Sequence, residues 1–196
     1  MSPLLITLLV VGVLVLWVIF LYNSLIRSRN RTREAWSDID VQLKRRHDLI
    51  PNLIESVKGY MKHERELLEQ VTKYRSNAIE AQNQGNTAAL ASAESMLGST
   101  LGKLQVAVEA YPDLKANTNV GQLMDELSDT ENKIQASRRF YNSMAQEFNT
   151  KVESFPNNMI AGKLKFTKFD FFEGGNWFTT SLISLNISLP IFNGFA

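Results

Sequence analysis

Two histidines are the side chains best suited to metal binding or acid–base catalysis, because the chain contains no cysteine. His47 and His63 lie in a stretch whose apolar spacing predicts a helix. At about 100° per residue they stand about 160° apart around the helix axis, so they cannot share one metal ion. Each is therefore interpreted as a surface or boundary histidine, and the sequence predicts no metal site and no cofactor.

Carboxylates are numerous, but their spacing does not place an acid–base pair on one helix face. Of Glu64, Glu66 and Glu69, only Glu64 falls on the apolar seam of the predicted helix. The sequence also lacks a hydrolase nucleophile motif, a phosphate-binding loop and a glycine-rich dinucleotide turn. These observations predict that the protein is not an enzyme.

Arg46 and Glu64 are the charged residues that interrupt this apolar seam. A charge at such a position is destabilising unless it is paired. About 27 Å of helix would separate the two residues, so their partners must come from other helices. A buried polar network that fixes helix register is the favoured interpretation, and a ligand-binding pocket inside the bundle is the alternative. The residues predicted to form the network are Arg46, Glu64, Glu131, Asn132 and Arg138.

The helix that carries Arg46 is predicted to be long. Its seam positions follow one another at steps of three and four from residue 36 to residue 78, as in a coiled coil. The phase continues through Pro51, which would give two separate helices no reason to share a register. We therefore expect one helix over 24–82 with a kink near Pro51.

Two further helices follow. Gly and Asn at 83–86 predict a break, and the second helix is expected over 87–111. The third is expected to begin near Asn119, which has capping-box spacing to Gln122, and to stop before Pro156. Three amphipathic helices with short connections predict an all-α fold in which long helices form an antiparallel bundle.

The N-terminal segment 4–21 is uncharged and almost wholly apolar. Its length suits a membrane-spanning helix, and no basic region precedes it as in a cleaved signal peptide. The bilayer is therefore an expected partner, with the bundle on the cytoplasmic side of a bacterial inner membrane and the periplasm as the alternative. That orientation rests on the arginines that follow the segment, Arg27, Arg29, Arg31 and Arg33. Formal charge is nearly balanced at +1, so no nucleic-acid partner is predicted.

The tail has a different pattern from the bundle. Asn157 and Asn158 are expected to form a turn, and 163–172 an extended segment along the bundle. At 181–191 apolar and polar residues alternate, which predicts a strand on the surface or paired with a neighbouring subunit. The expected domains are an anchor at 1–26, a helical bundle at 27–156 and an extended tail at 157–196.

Short sequence blocks occur in the order and spacing of one bacterial family. They are Tyr22-Asn23-Ser24-Leu25, Arg45-Arg46-His47-Asp48-Leu49-Ile50-Pro51-Asn52-Leu53, Val57-Lys58-Gly59-Tyr60, Tyr111-Pro112-Asp113-Leu114-Lys115-Ala116-Asn117, Thr130-Glu131-Asn132-Lys133-Ile134, Arg138-Arg139-Phe140-Tyr141-Asn142, Asn149-Thr150-Lys151 and Phe155-Pro156. Through them the chain resembles the LemA family over 22–173. The resemblance implies a membrane-anchored helical bundle without an established catalytic activity. The segment 184–192 instead resembles a strand of the outer-membrane efflux channel family.

These features predict a membrane-anchored helical scaffold or assembly protein of the bacterial envelope, acting through protein–protein contacts and self-association. The alternative is a sensor or accessory subunit that binds a small ligand or an envelope channel component. The first helix is much longer than the second, so its early seam lacks partners there and predicts a homo-oligomer. The expected interface residues are Trp36, Ile39 and Leu43, and other membrane proteins are further candidate partners.

Overall fold

The computed structural model describes residues 2–173, and within that range every regular element is a helix. The all-α prediction is confirmed for these residues, whereas the predicted strand at 181–191 lies outside them. The six helices are α1 (Pro3–Val57), α2 (Arg65–Asn83), α3 (Thr87–Glu109), α4 (Pro112–Lys115), α5 (Thr118–Glu153) and α6 (Asn157–Lys163).

The first part of α1 is apolar on all sides. Its large side chains from Leu4 to Phe20 are about half exposed or more, with little of this span buried inside the chain. A core helix would bury at least one face, whereas a helix that is apolar all round suits a lipid environment. By length and composition, α1 is long and apolar enough to cross a membrane.

The prediction of one helix over 24–82 is wrong, because α1 ends at Val57 and α2 begins at Arg65. Gly59 lies in the break, where its low helix propensity favours an interruption. Beyond the break the buried position shifts by one residue, since Met61 is buried and Tyr60 is 48% exposed. The shared spacing arose because both helices pack into one core, which does not require them to be continuous.

Two compact units divide the described chain. The first unit contains α1 as far as Leu43 together with Glu131–Phe171. Within it the Thr32 hydroxyl donates to the Met144 carbonyl at 3.1 Å, and Trp36 meets Tyr141 edge-on at 5.1 Å between ring centroids. Because residue numbers rise along α1 as they fall along α5, these two segments run side by side in opposite directions.

The first unit also contains the chain that follows α5. Asn157 and Asn158, predicted to form a turn, instead open α6, because the chain already turns at Phe155 and Pro156. After α6 a non-helical segment lies along α5, as predicted for 163–172. There the Asn149 amide exchanges two hydrogen bonds of 2.9 Å with the backbone of Phe169.

In the first unit Ile39 and Leu43 are fully buried by the chain itself. This corrects the prediction that they form an oligomer interface together with Trp36, because they have no apolar surface left for another copy. Trp36 is partly buried and packs on Tyr141. The sequence argument compared α1 only with the second helix and underestimated the cover that the 131–171 segment provides.

The second unit contains Lys44–Thr130, and its core joins four helices. α1 contributes Ile50, Leu53 and Val57 at the predicted seam positions. The other fully or largely buried members are Met61, Leu68, Val71, Ala78, Leu97, Leu104, Val108, Leu114, Val120 and Leu127. The seam prediction therefore holds in α1 on both sides of Pro51.

The connections in the second unit follow local backbone chemistry. Between α2 and α3, Gly85 takes a left-handed conformation with φ of 65°, in the predicted 83–86 break. Asn86 then caps α3 by accepting from the Ala89 amide at 3.0 Å. The start of α5 differs from prediction, since Asn117 and not Asn119 supplies the capping oxygen, which accepts from the amide of Asn119 at 3.0 Å.

Pro51 lies inside α1, which continues through it. Proline has no N–H, so the carbonyl four residues earlier, that of His47, loses its helical donor. Arg75 of α2 fills this vacancy, because its Nε donates to the His47 carbonyl at 2.7 Å. The long helix is thus stabilised at its proline by a guanidinium from the neighbouring helix.

Replacement of Arg75 by Met should destabilise the fold by about 1–3 kcal/mol, since it leaves a shielded carbonyl without a donor. In a Pro51→Ala background the helix regains its own N–H, so the same replacement should have a smaller effect. Urea unfolding of the full chain in mild detergent, followed by circular dichroism for the four proteins of this cycle, measures the difference. Equal effects of Arg75→Met in both backgrounds would contradict the assignment.

Candidate functional site

A buried ionic cluster lies between α1 and α3 in the second unit. α1 supplies the consecutive residues Arg46 and His47, and α3 supplies Glu94. The Nε2 atom of His47 lies 2.7 Å from one carboxylate oxygen of Glu94, and Nη2 of Arg46 donates to the other. All three side chains are only 4% exposed, so both carboxylate oxygens are bound away from water.

The electrostatics of the cluster keep Glu94 ionised. Burial by itself raises the pKa of a carboxyl group, because it disfavours the charged form. The charge of Arg46 and the hydrogen bond from His47 act in the opposite direction and outweigh burial. The pKa of Glu94 therefore lies below its ordinary value of 4.5, and the cluster holds a carboxylate at neutral pH.

Chemically, this cluster is enclosed. A histidine–carboxylate pair can serve acid–base catalysis, but only where a substrate proton comes within hydrogen-bond reach. Here the near-complete burial of Arg46, His47 and Glu94 leaves no surface at which a substrate could bind. The arrangement can join α1 to α3 in one register, which is the role that the sequence favoured for Arg46.

Glu64 has a separate partner. The hydroxyl of Tyr111 donates to its carboxylate at 2.5 Å. This hydrogen bond, followed by burial and the Glu64 charge, raises the pKa of Tyr111 above its ordinary value. Glu64 precedes α2 and Tyr111 precedes α4, so the contact connects two turns of the second unit.

The remaining residues of the predicted network lie on α5 in the first unit. Glu131 is buried, Arg138 is partly buried and Asn132 is exposed. Burial lowers the pKa of Arg138, and the charge of Glu131 opposes that shift. Exposed Asn132 does not belong to the buried polar set, and the joining of all five predicted residues into one network stays a prediction.

Sequence reasoning missed Glu94, and it predicted a surface or boundary position for His47, which is wrong because His47 is buried. For His63 the prediction is confirmed, since that side chain is exposed. A signal for Glu94 was present in the α3 seam. It falls between Leu90 and Leu97 at the skipped three/four position. No comparable signal marked Arg75, whose acceptor is a backbone carbonyl.

A groove lies between α2 and α3 in the second unit, with a volume of about 310 Å³. Polar side chains line most of it, and Met96 is the aliphatic member. The polar lining residues are Gln70, Tyr74, Ser95, Ser99, Thr100 and Lys103. Among the described residues no group of three or more His, Cys, Asp or Glu side chains is placed to hold a metal ion.

Comparison with known proteins gives one family. The model of the LemA family matches residues 35–181. The chain is 34% identical to Protein LemA of Metamycoplasma hominis over 142 residues, which are 72% of this chain. It is 23% identical over 78% of its length to Magnetosome protein MamQ 2 of Paramagnetospirillum magneticum, and 22% identical over 77% to MamQ of Magnetospirillum gryphiswaldense. In each case the match covers 64% of the relative.

Replacing Glu94 by Gln should destabilise the protein by about 3–5 kcal/mol at neutral pH, because it leaves the Arg46 charge buried without its counter-ion. The native pKa of Glu94 is lowered, so its contribution is complete above the ordinary value of 4.5 and is lost as pH falls through the native pKa. The stability difference between wild type and Glu94→Gln should therefore shrink on acidification. Urea unfolding across that range measures it, with exposed Glu80→Gln as the control. A difference that does not change with pH would contradict the charge assignment.

Proposed function

The chain belongs to the LemA family, and we propose that it is a membrane-anchored helical scaffold or assembly protein of the bacterial envelope. It would act through protein–protein contacts and self-association. Its long helices would form an antiparallel bundle, as α1 and α5 begin to do in the first unit. The match covers less than two thirds of each relative's length, so activity and partners are proposed for this chain alone.

The observation that carries the proposal is the continuity of α1. This helix has 55 residues, and its apolar span passes without interruption into the residues that pack in both units. About 18 residues suffice to cross most of the hydrocarbon core. An uninterrupted helix is stiffer than a flexible linker, so it would hold the packed helices close to the membrane at a defined distance.

The orientation follows from charge. The arginines from Arg27 to Arg33 lie directly after the span, and no Lys or Arg precedes it. Basic residues next to a span favour the cytoplasmic side, so we place the helical part in the cytoplasm at the inner membrane, with the periplasm as the alternative.

A scaffold role is also supported by the chemistry of the described residues. The buried cluster around Glu94 is closed to substrates, and its interactions are those of a register device. Two relatives carry the words "magnetosome protein" in their names, which refer to a cell structure and not to a reaction. Both points favour a role exercised through surfaces over one exercised through a reactive group.

A second candidate function is ligand sensing, and the groove between α2 and α3 favours it. Its volume of about 310 Å³ is at the lower end of the range for small-molecule sites. Lys103 with Ser95, Ser99 and Thr100 could bind an anionic or hydroxylated compound. This site differs from the pocket that the sequence placed around Arg46, because Arg46 is enclosed by its pairing with Glu94.

The anchor predicts that the full chain remains in the membrane pellet after alkaline carbonate extraction. A cysteine introduced at exposed Val106 provides the test of orientation, since the native chain has none. In intact spheroplasts a membrane-impermeant maleimide should leave it unlabelled, and permeabilisation should expose it. Release by carbonate would contradict the anchor, whereas labelling in intact spheroplasts would place the helical part in the periplasm.

Self-association predicts that the full chain in mild detergent has a molar mass above that of one chain by light scattering. Tethering to a membrane raises local concentration and favours such contacts. Exposed Val41 and Phe140 are candidate contact residues in the first unit. Replacing both by Glu should lower the mass, whereas Ser37→Glu, a charge at another exposed position of α1, should not. A monomer at every concentration would contradict self-association and favour the sensor.

A further inference from the structure

We propose that the C-terminal end of α5 and the short helix α6 form a second membrane contact, which rests on the surface of the same bilayer that α1 crosses. The occupant of this surface is a lipid bilayer with anionic headgroups. The inference rests on the proposed anchor and adds a contact that the anchor alone does not require.

The register of the first unit sets the position of this surface. Thr32 lies opposite Met144, and Trp36 lies opposite Tyr141. Continued along two oppositely directed helices, this pairing brings Phe155 to the level of residues 21 and 22 of α1. That level is where the uncharged span ends and Tyr22 begins the polar part of the helix.

The return of the chain supports the same placement. After α6, Phe166 packs on Phe148, and the guanidinium of Arg29 lies 5.2 Å from the centroid of the Phe166 ring. Phe169 then packs on Phe148 with centroids 5.2 Å apart. The segment after α6 thus runs back along α5 from the level of Arg29, so α6 lies on the side toward the apolar span.

The side chains at this end are apolar and unusually exposed. Phe155 is 78% exposed, Met159 63% and Leu164 52%, all within ten residues. Single exposed apolar residues are common on soluble surfaces and need no explanation. A group of three at the level where a membrane-spanning helix leaves the bilayer matches the apolar face of an interfacial element.

The charges around this surface complement an anionic membrane. No Asp or Glu occurs in residues 1–33 or in residues 154–169. These two segments hold seven of the 21 Lys and Arg residues, although the whole chain has 20 Asp and Glu. Lys163 and Lys165 are exposed beside the apolar group. Basic residues next to apolar ones suit anionic headgroups above an acyl layer, and each Lys near such a surface favours binding about fivefold.

Single cysteines in the otherwise cysteine-free full chain provide the test. Each carries an environment-sensitive fluorophore, and the chain is reconstituted into phosphatidylcholine–phosphatidylglycerol vesicles that contain a nitroxide lipid quencher near the headgroup. Met159→Cys reports on α6 and Leu14→Cys on the span. Ala136→Cys is the control, since it is exposed on α5 and lies about 28 Å further along that helix than Phe155.

We expect quenching at Leu14 and Met159 and none at Ala136. Quenching at Leu14 without quenching at Met159 would overturn this inference and leave the anchor intact, and a soluble protein partner would then be the better occupant. Absence of quenching at both positions would overturn the anchor itself. Equal quenching at Ala136 and Met159 would also overturn the inference, because contact would not be confined to the end of α5.

The headgroup preference has its own test. The pair Lys163→Gln and Lys165→Asn removes both charges, and Asn suits the left-handed backbone of Lys165, whose φ is 53°. Removing phosphatidylglycerol should weaken quenching at Met159 in the native background and change it less in this variant, with Leu14 unaffected in both. The same quenching with and without the anionic lipid would overturn the assignment of anionic headgroups.

Discussion

The buried pairing of Glu94 with Arg46 and His47 is the interaction on which the register of the second unit depends. Isolated, any one of these charges would be strongly unfavourable in a core, because burial removes the water that solvates it. Together they leave the carboxylate with a partner at each oxygen. α1 and α3 can therefore pack in this unit at the register that brings these side chains opposite one another.

A backbone vacancy reinforces the same stretch of α1. Pro51 withdraws the donor of the His47 carbonyl, and Arg75 of α2 replaces it. His47 thus bonds α3 through its ring and α2 through its backbone. A proline that would otherwise weaken a long helix becomes the point at which a second helix is attached, which explains how α1 remains continuous.

This continuity connects local packing to the proposed role. The same helix carries the apolar span, packs on α5 in the first unit and holds Glu94 in the second. In the first unit, the opposite direction of α5 returns the chain toward the span, together with exposed Phe155 and the lysines that follow α6. A membrane would thus meet both a crossing helix and a surface element with matching charge.

The sequence by itself determined the features that rest on local chemistry. Periodicity identified the apolar span, the all-helical character and the α1 seam at Ile50, Leu53 and Val57, because the 3.6-residue period requires apolar residues at those steps. Gly and Asn likewise marked the break between α2 and α3. Motif blocks identified the family. Each of these signals is carried by residues close together in the chain.

Only the tertiary structure decided which distant groups meet. The partner of Arg46 is Glu94, 48 residues away, and several other acidic residues on later helices were equally compatible with the spacing. The break after Val57 was hidden because α1 and α2 share one core and hence one apparent period. Burial of Ile39 and Leu43 depended on cover from a segment about a hundred residues later. Periodicity states that a face must be buried, whereas three-dimensional packing alone selects the side chains that bury it.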